Sequence, residues 1–141
     1  MNLSPLTVAV IVPVYNGGAK FRASLDSIRR AVSPPDELIV VGDGDTDGSS
    51  QYAEAVGITV YRFPASGGPG RARNLGASRA KSDILLFVDA DVTVPENVIR
   101  RVEEIFAQNA EVAAIIGSYD DQPKEQYFLG AKFLTNMNNS L

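Results

Sequence analysis

The sequence lacks cysteine and histidine altogether. Their absence excludes disulfide scaffolds, zinc sites built from Cys and His, Ser-His-Asp triads and thiol nucleophiles. Any proton transfer or metal binding must therefore rely on Asp, Glu, Lys or Tyr, and carboxylates prefer hard cations such as Mg²⁺ or Mn²⁺. The lack of cysteine also fits a protein of a reducing compartment.

Positive charge and long apolar runs are also scarce. The chain carries 13 Lys plus Arg against 17 Asp plus Glu, a net charge of −4, so it has no broad positive field to attract a nucleic-acid backbone. The longest early apolar run, residues 7–14, is too short to span a membrane, and no positive residue precedes it as in a signal peptide. We predict a soluble cytoplasmic protein that binds no nucleic acid, with membrane contact only in a longer parent protein.

What the sequence does contain indicates one globular α/β domain. Its 141 residues are 45% hydrophobic, which is enough for a single core. Short β-branched runs alternate with segments of helical period, and this alternation predicts an open, mainly parallel sheet flanked by helices. Strands are predicted at 6–12, 37–41, 58–63, 84–88 and 112–116. Helices are predicted at 19–32, from a cap within 47–50 to residue 56, at 71–80, from residue 95 onward and, weakly, at 126–133.

Two of these helices have an apolar face, and prolines mark boundaries. Residues at steps of three and four form the face of the first helix: Phe21, Leu25, Ile28 and Val32. The corresponding stripe of the helix opened by Pro95 consists of Val98, Val102, Ile105 and Phe106. Pro13 is predicted to end the first strand, and the pair Pro34 and Pro35 to end the first helix.

Polar and glycine-rich segments follow the carboxyl ends of the first four predicted strands. In an open parallel sheet, ligands bind beyond these ends, near the point where the strand order reverses. We therefore expect four segments to converge on one crevice: residues 13–16, residues 42–45, the loop 65–70 with Arg71 and Arg73, and residues 89–91.

Asp89 and Asp91 are the sharpest chemical signal. Two carboxylates one residue apart, directly after a buried strand, would repel each other in a partly desolvated cleft, and a divalent cation or ligand hydroxyls would relieve that repulsion. The alternative is a turn with a helix cap ahead of Pro95, because Asp-x-Asp is a common tripeptide. Spacing alone leaves both interpretations open.

The glycine loop 67–70 precedes a predicted helix and is a second candidate site. Its backbone N–H groups and the positive end of the helix suit a phosphate, and Arg71 and Arg73 add charged donors. A plain turn explains the same residues. The loop lacks the glycine fingerprint of dinucleotide-binding folds and the Gly-Lys-Ser/Thr of a P-loop, so neither of those sites is supported.

The segment 43–54 raises a rival hypothesis. Acidic residues and a glycine match the calcium-binding EF-hand loop at each required position: Asp43, Asp45, Asp47, Gly48 and Glu54. An EF-hand needs a helix before this loop, whereas residues 37–41 predict a buried strand. The other interpretation is an Asp-rich turn between a strand and a helix, with capping side chains.

Taken together, four segments resemble glycosyltransferase family 2, in order and over roughly residues 7–118. They are VIVPVYN at 10–16, IVVGDGDTDGS at 39–49, ARNLG at 72–76 and LFVDAD at 86–91. The resemblance implies a GT-A, Rossmann-like domain that binds a nucleoside diphosphate sugar, with a UDP-sugar favoured, and Mg²⁺ or Mn²⁺. It also implies inverting transfer of the sugar to a hydroxyl acceptor.

The resemblance assigns roles to individual residues. Pro13, Tyr15 and Asn16 would border the nucleotide, Asp43 would hydrogen-bond the base, Gly68 and Arg73 would lie beside the nucleotide-sugar, Asp89 would face the ribose or metal, and Asp91 would hold the cation. Residues 1–118 would form the nucleotide-sugar-binding domain, and 119–141 would begin an acceptor-side region that is cut short.

Two departures from the family pattern leave the base and sugar preference open. The family usually has an acidic pair where this chain has Gly42-Asp43, and a Glu where it has Gly17. The catalytic base of such enzymes normally lies well beyond the Asp-x-Asp segment, and Asp120 and Asp121 come early for it. We therefore expect the base to be absent from this chain, which would bind donor yet turn over little.

Two alternative functions remain. One is a calcium-binding module that uses the segment 43–54. The other is a sugar nucleotidyltransferase, which uses similar carboxylates on a related sheet, but its usual glycine-rich signature near the first strand is missing here.

Overall fold

The computed structural model describes residues 5–114. These residues form four strands and four helices. The strands are β1 (Val8–Val14), β2 (Glu37–Asp43), β3 (Thr59–Phe63) and β4 (Ile84–Phe87). The helices are α1 (Gly18–Arg29), α2 (Ser49–Ala55), α3 (Pro69–Arg79) and α4 (Val98–Gln108).

The four strands form one parallel sheet in the order β3-β2-β1-β4. Strands β2 and β3 are added in turn on one side of β1, whereas β4 pairs with the other side of β1. The strand order therefore reverses between β1 and β4, and the crevice beyond their carboxyl ends is the expected ligand position in such a sheet. The predicted fold class, an α/β sheet flanked by helices, is confirmed.

Strand β1 lies at the centre of two apolar layers. All seven of its residues are buried, because helices cover both faces of the sheet. Val10 packs in a cluster with Phe21 of α1 and Val98 of α4, whereas Ile11 packs in a second cluster with Ala72 of α3. Such two-sided burial explains the almost continuous apolar run of this strand.

The prediction that Pro13 ends the first strand was wrong. Pro13 lies inside β1, in register with Val41 of β2. The carbonyl of Ile11 accepts a hydrogen bond from the N–H of Val88, so odd-numbered residues of β1 direct their backbone groups toward β4. The pairing of β1 with β4 extends only to Ile11 and Phe87. At Pro13 the sheet therefore requires no N–H on that side, and proline is tolerated.

Helix α1 ends earlier than predicted, and Val32 does not belong to its apolar face. Phe21, Leu25 and Ile28 are buried as expected, but Val32 is 55% exposed. At Val32 the chain has left the helix, and the N–H of this residue donates to the carbonyl of Glu96 in the loop before α4. A contact with another part of the chain thus sets this boundary.

The last two elements differ partly from their prediction. In α4, Ile105 was expected on the apolar stripe but is only partly buried, whereas Ile99, which the predicted stripe did not include, is fully buried. Residues 112–114, the described part of the predicted fifth strand, form no strand, because the chain turns after α4 and the N–H of Val112 donates to the carbonyl of Asn109. Residues 115–116, the predicted helix 126–133 and the region 119–141 lie outside the described residues.

Within residues 5–114, no helix is both long enough and apolar enough to cross a membrane.

Candidate functional site

The first loop of the site, between β1 and α1, is held by Asn16. Its backbone has φ 48°, a left-handed conformation that is uncommon for a residue other than glycine. Its side-chain Oδ1 accepts hydrogen bonds from the N–H of Thr46 at 2.8 Å and of Asp47 at 3.2 Å. Asn16 therefore joins the β1–α1 loop to the β2–α2 loop.

The same two loops are joined a second time through Asp47 and Ser49. Asp47 Oδ2 accepts from the N–H of Gly18 at 3.2 Å, and Ser49 Oγ accepts from the N–H of Gly17 at 3.1 Å. Hydrogen bonding from Ser49 outweighs the effect of burial and lowers the pKa of the Asp47 carboxyl below its ordinary value. The carboxylate is thereby kept charged at the start of α2, where the helix dipole also favours it.

Asp43, the last residue of β2, binds the glycine loop ahead of α3. Its Oδ1 accepts from the N–H of Gly67 at 3.0 Å and from Arg71 at 3.2 Å, and its Oδ2 accepts from Gly68 N–H at 2.9 Å and Ser66 Oγ at 3.0 Å. Burial by itself raises the pKa of Asp43. The hydrogen bonds from Gly67, Gly68, Arg71 and Ser66 together lower the pKa by more than burial raises it, so the net shift is downward. Two of the backbone donors that suited a phosphate, the N–H groups of Gly67 and Gly68, are thus occupied by this carboxylate.

The side chain of Arg71, in the first turn of α3, packs against the glycine loop. Its guanidinium lies over the ring of Phe63, 3.8 Å from the centroid, and also donates to the carbonyl of Ala65. A Cβ added to Gly67 would lie 2.2 Å from the guanidinium carbon. A larger residue at position 67 would therefore push the guanidinium of Arg71 away from its present contacts.

The remaining strand-end segment joins the site through Arg73 and Asp89. Arg73 projects from α3, and its Nη2 lies 2.7 Å from Asp89 Oδ1. Both side chains are about one-third exposed, at 36% and 38%. Asp91 is exposed. The contact connects the helix behind the glycine loop to the Asp-Ala-Asp segment at the point where the strand order reverses.

A shallow pocket marks the centre of this arrangement. It has a volume of about 70 Å³ and is lined by Pro13, Val14, Tyr15, Asp43 and Pro69. Tyr15 is 57% exposed, which is unusual for a large aromatic side chain. Three of the four strand-end segments predicted to converge line this pocket, and the Arg73–Asp89 contact links the fourth to α3.

The EF-hand interpretation of 43–54 fails on geometry. The loop follows the strand β2 where an EF-hand requires a helix. Its carboxylates turn to different partners: Asp45 accepts from Ser50, and Glu54 forms an ion pair with Arg62. In the part of the chain that the structure describes, no group of three or more His, Cys, Asp or Glu side chains is arranged to hold a metal ion.

Sequence reasoning missed Ser66 and Thr46, which complete the contacts of Asp43 and Asn16. Ser66 directly precedes the glycine pair, and a serine in such a loop is a candidate hydrogen-bond donor. Thr46 contributes mainly its backbone N–H, so no side-chain pattern marks it.

Comparison with known proteins identifies the family. Residues 9–138 match the profile of the family described as Glycosyl transferase family 2. The chain belongs to glycosyl transferase family 2. The four segments that resembled this family in the sequence all lie within the match.

Individual known proteins are similar to this chain in sequence or in fold. The glycosyltransferase GlyG of Streptococcus pneumoniae serotype 4 is 31% identical over 130 residues, which cover 86% of this chain and 42% of GlyG. Among solved structures, S. aureus TarS 1-349 in complex with UDP-GlcNAc superposes with a TM-score of 0.74 at 24% identity, covering 82% of this chain and 35% of that one.

A third relative is glucosyl-3-phosphoglycerate synthase from Mycobacterium tuberculosis, in complex with Mn²⁺, UDP and glucosyl-3-phosphoglycerate. It has a TM-score of 0.67 at 26% identity, and the match covers 82% of this chain and 45% of the synthase. The family 2 chain described here therefore spans less than half the length of each of these three relatives.

Proposed function

We propose that this chain is the donor-binding part of a glycosyltransferase, which binds a nucleoside diphosphate sugar, with a UDP-sugar favoured, together with Mg²⁺ or Mn²⁺. The observation that supports this most directly is the ion pair between Arg73 of α3 and Asp89 after β4. It holds a cation and a carboxylate at the strand-order reversal, where open α/β sheets bind their ligands. The exposed ring of Tyr15 follows the neighbouring strand β1. Family membership supports the same conclusion.

The nucleotide would lie against the pocket. Pro13 and Tyr15 offer an apolar wall, and the exposed Tyr15 ring suits stacking with a planar base. Gly68, with φ 99° and no side chain, lets a ligand approach the backbone at the start of α3. Arg73 supplies a guanidinium for the charge of the diphosphate. Asn16 would border the nucleotide indirectly: its Oδ1 already accepts the N–H of Thr46, and this bond fixes the β1–α1 loop.

The carboxylates of Asp89 and Asp91 fit a divalent cation that binds together with the donor. Mg²⁺ is usually held by one or two carboxylates plus phosphate oxygens of the substrate. This donor set agrees with the absence of a larger acidic cluster among residues 5–114. When bound, the cation would neutralise charge that develops on the departing diphosphate. The side chain of Asp91 is exposed and can turn toward the ligand, whereas the side chain of Asp89 already forms an ion pair with Arg73.

We propose a single displacement as the reaction. The oxygen of an acceptor hydroxyl forms a bond to the anomeric carbon, the bond from that carbon to the diphosphate oxygen breaks, and the nucleoside diphosphate leaves with the electron pair. Attack opposite the leaving group inverts the configuration of that carbon. The hydroxyl proton passes to a base, a role that we assign to no residue within 5–114.

A thermal-unfolding series tests the proposal. The chain is heated with UDP, GDP, MnCl₂ or CaCl₂ alone, and with each nucleotide plus Mn²⁺. A ligand at about a hundredfold excess over its Kd adds about 2.7 kcal/mol, which raises the Tm of a domain of this size by several degrees. We expect a shift that needs nucleotide and Mn²⁺ together and is lost in Asp91→Ala.

Asp26→Ala is the matched control, because Asp26 is a partly exposed aspartate of α1 whose side chain forms an ion pair with Arg30. This variant should respond to nucleotide and Mn²⁺ like the wild type. A shift with Ca²⁺ alone that survives Asp91→Ala would contradict the proposal.

A further inference from the structure

Gly42, the residue before the end of β2, leaves a space that is filled by a side chain from further along the chain. A Cβ added to Gly42 would lie 2.5 Å from Oδ1 of Asp45 and 2.9 Å from Cβ of Ser50. The backbone of Gly42 does not have the left-handed conformation that would itself favour glycine. A side chain at position 42 would therefore be opposed by these two contacts alone, and it would displace the carboxylate of Asp45.

The carboxylate of Asp45 is held in this space by the start of α2. Its Oδ2 accepts hydrogen bonds from the N–H and from the Oγ of Ser50, both at 3.0 Å. Ser50 is fully buried, and its Oγ also accepts from Nε of Arg62 in β3 at 3.0 Å. The N-cap residue of α2, Gly48, has no side chain that could accept an N–H of the first turn, so Asp45 supplies this acceptor.

The contact between Asp45 and Ser50 joins the two ends of the segment 46–49. Every hydrogen bond described above between the β1–α1 loop and the β2–α2 loop involves this segment. The β1–α1 loop begins beside Tyr15, whose exposed ring lines the pocket. The position of Tyr15 thus depends on a loop whose own ends are held by one carboxylate.

We propose that Gly42 and Asp45 are a coupled pair of positioning residues. Because position 42 has no side chain, the carboxylate of Asp45 can pack on β2 and hold the segment 46–49, which in turn fixes the β1–α1 loop. An acidic residue at position 42 and the carboxylate of Asp45 would compete for the same space, which accounts for the departure from the family pattern at Gly42. For nucleotide binding, the inference rests on the proposed function and deepens it.

The coupling is measured without a ligand in a double-mutant cycle. The unfolding equilibrium constant is determined in urea for the wild type, Gly42→Ala, Asp45→Ala and the double variant. Asp45→Ala removes the carboxylate that a Cβ at position 42 would meet. We therefore expect the factor by which Gly42→Ala raises the unfolding constant to be about tenfold smaller in the Asp45→Ala background, which corresponds to about 1.4 kcal/mol.

Gly76→Ala is the matched control, because the three atoms nearest to its added Cβ belong to Ile11 and Val41. It should raise the unfolding constant by the same factor with and without Asp45→Ala. An equal factor for Gly42→Ala in the two backgrounds would overturn the inference. A Gly42→Ala variant that folds only together with Asp45→Ala would support it, since this is the same coupling at its limit.

The second measurement follows the loops and also needs no ligand. Hydrogen exchange of the Gly17 and Gly18 amides, which donate to the segment 46–49, is measured by NMR in the wild type and in Asp45→Ala. We expect both amides to exchange about tenfold faster in the variant. The amide of Val32, which donates across a different loop, is the reference and should not change. Unchanged exchange at Gly17 and Gly18 would overturn the inference.

The third measurement distinguishes positioning from a direct contact with the ligand. The affinity for UDP or GDP with Mn²⁺ is determined for the wild type, Asp45→Ala, Asp45→Asn and the control Asp26→Ala, at a temperature at which all four are folded. Asparagine keeps the shape of the side chain and an acceptor oxygen for the N–H of Ser50. We expect Asp45→Ala to weaken binding about tenfold, Asp45→Asn to restore most of this loss, and Asp26→Ala to have no effect.

Equal losses in Asp45→Ala and Asp45→Asn would show that the charge of Asp45 acts directly on the ligand or the cation, and would overturn the inference. An unchanged affinity in Asp45→Ala would overturn it as well. Failure of the wild type to bind either nucleotide would overturn the proposed function. The cycle and the exchange experiment use no ligand, so they would still decide whether Gly42 and Asp45 are coupled and hold the loops.

Discussion

At the scale of single residues, Asn16 combines an unfavourable backbone with two favourable hydrogen bonds. The left-handed conformation costs a residue with a Cβ about 1–2 kcal/mol, and each neutral hydrogen bond contributes about 0.5–1.5 kcal/mol. We predict that Asn16→Ala, which keeps the strain and loses both bonds, lowers the free energy of unfolding more than Asn16→Gly, which relieves the strain. The difference should be about 1 kcal/mol in urea denaturation.

Thr46→Ala is a useful control for Asn16. Thr46 donates its backbone N–H to Asn16 at 2.8 Å, and its hydroxyl lies at the longer distance of 3.4 Å. The substitution should therefore change the free energy of unfolding little. Equal losses in Asn16→Ala and Asn16→Gly would show that the φ of 48° carries no strain.

The same residues indicate what the sequence can and cannot predict about a site. Asn16, Asp43 and Asp89 were placed correctly at strand ends, because that position depends only on the order of the elements. The direction of each side chain depends on which neighbours compete for it. Asp43 accepts hydrogen bonds from four donors in the glycine loop and the first turn of α3, and no spacing pattern in the sequence predicts these bonds.

At the scale of elements, Gly76 controls how closely α3 approaches the sheet. A Cβ at this position would lie 2.5 Å from Cγ2 of Ile11 in β1 and 3.4 Å from Cγ2 of Val41 in β2. Ile11 is fully buried, so it has little room to move. We predict that Gly76→Ala destabilises the protein by about 1–3 kcal/mol, the usual cost of overpacking, measured as the free energy of unfolding in urea.

Gly70 in the same helix is the matched control. A Cβ added there meets nothing within 4 Å, and its φ does not require glycine. Gly70→Ala should stabilise the protein by up to about 1 kcal/mol, because alanine has the higher helix propensity. If both substitutions changed stability by the same amount and sign, the close approach of α3 to β1 would be contradicted.

Element positions were easier to predict from the sequence than element ends. Apolar period and proline predicted β1 to β4 and all four helices, because burial on a sheet or helix face leaves a repeating pattern. The ends were set by contacts between distant segments. Val32 leaves α1 to bond Glu96, and Pro13 stays in β1 because β4 has already ended. Neither partner is visible from the local sequence.

At the scale of the whole molecule, stability depends on pH through acids shifted in opposite directions. The pKa values of Asp43 and Asp47 are lowered below their ordinary value of 3.8. Their contribution is therefore present above pH 3.8 and is lost as the pH falls through their lower folded-state pKa values. Both residues hold the loops of the proposed donor site, so acid should weaken the site and the fold together.

Glu103 on α4 acts in the opposite sense. Burial, and then the charge of Asp36, raise its pKa above the ordinary value of 4.5. Its favourable contribution is present below pH 4.5 and is lost as the pH rises through the higher folded-state value. We predict that Glu103→Gln raises the Tm at neutral pH and that the gain disappears as the pH falls below 4.5. Glu111→Gln, at an exposed glutamate that is not among the charges that shift Glu103, is the control in the same pH series. A gain for Glu103→Gln that did not depend on pH would mean that packing, rather than charge, is responsible.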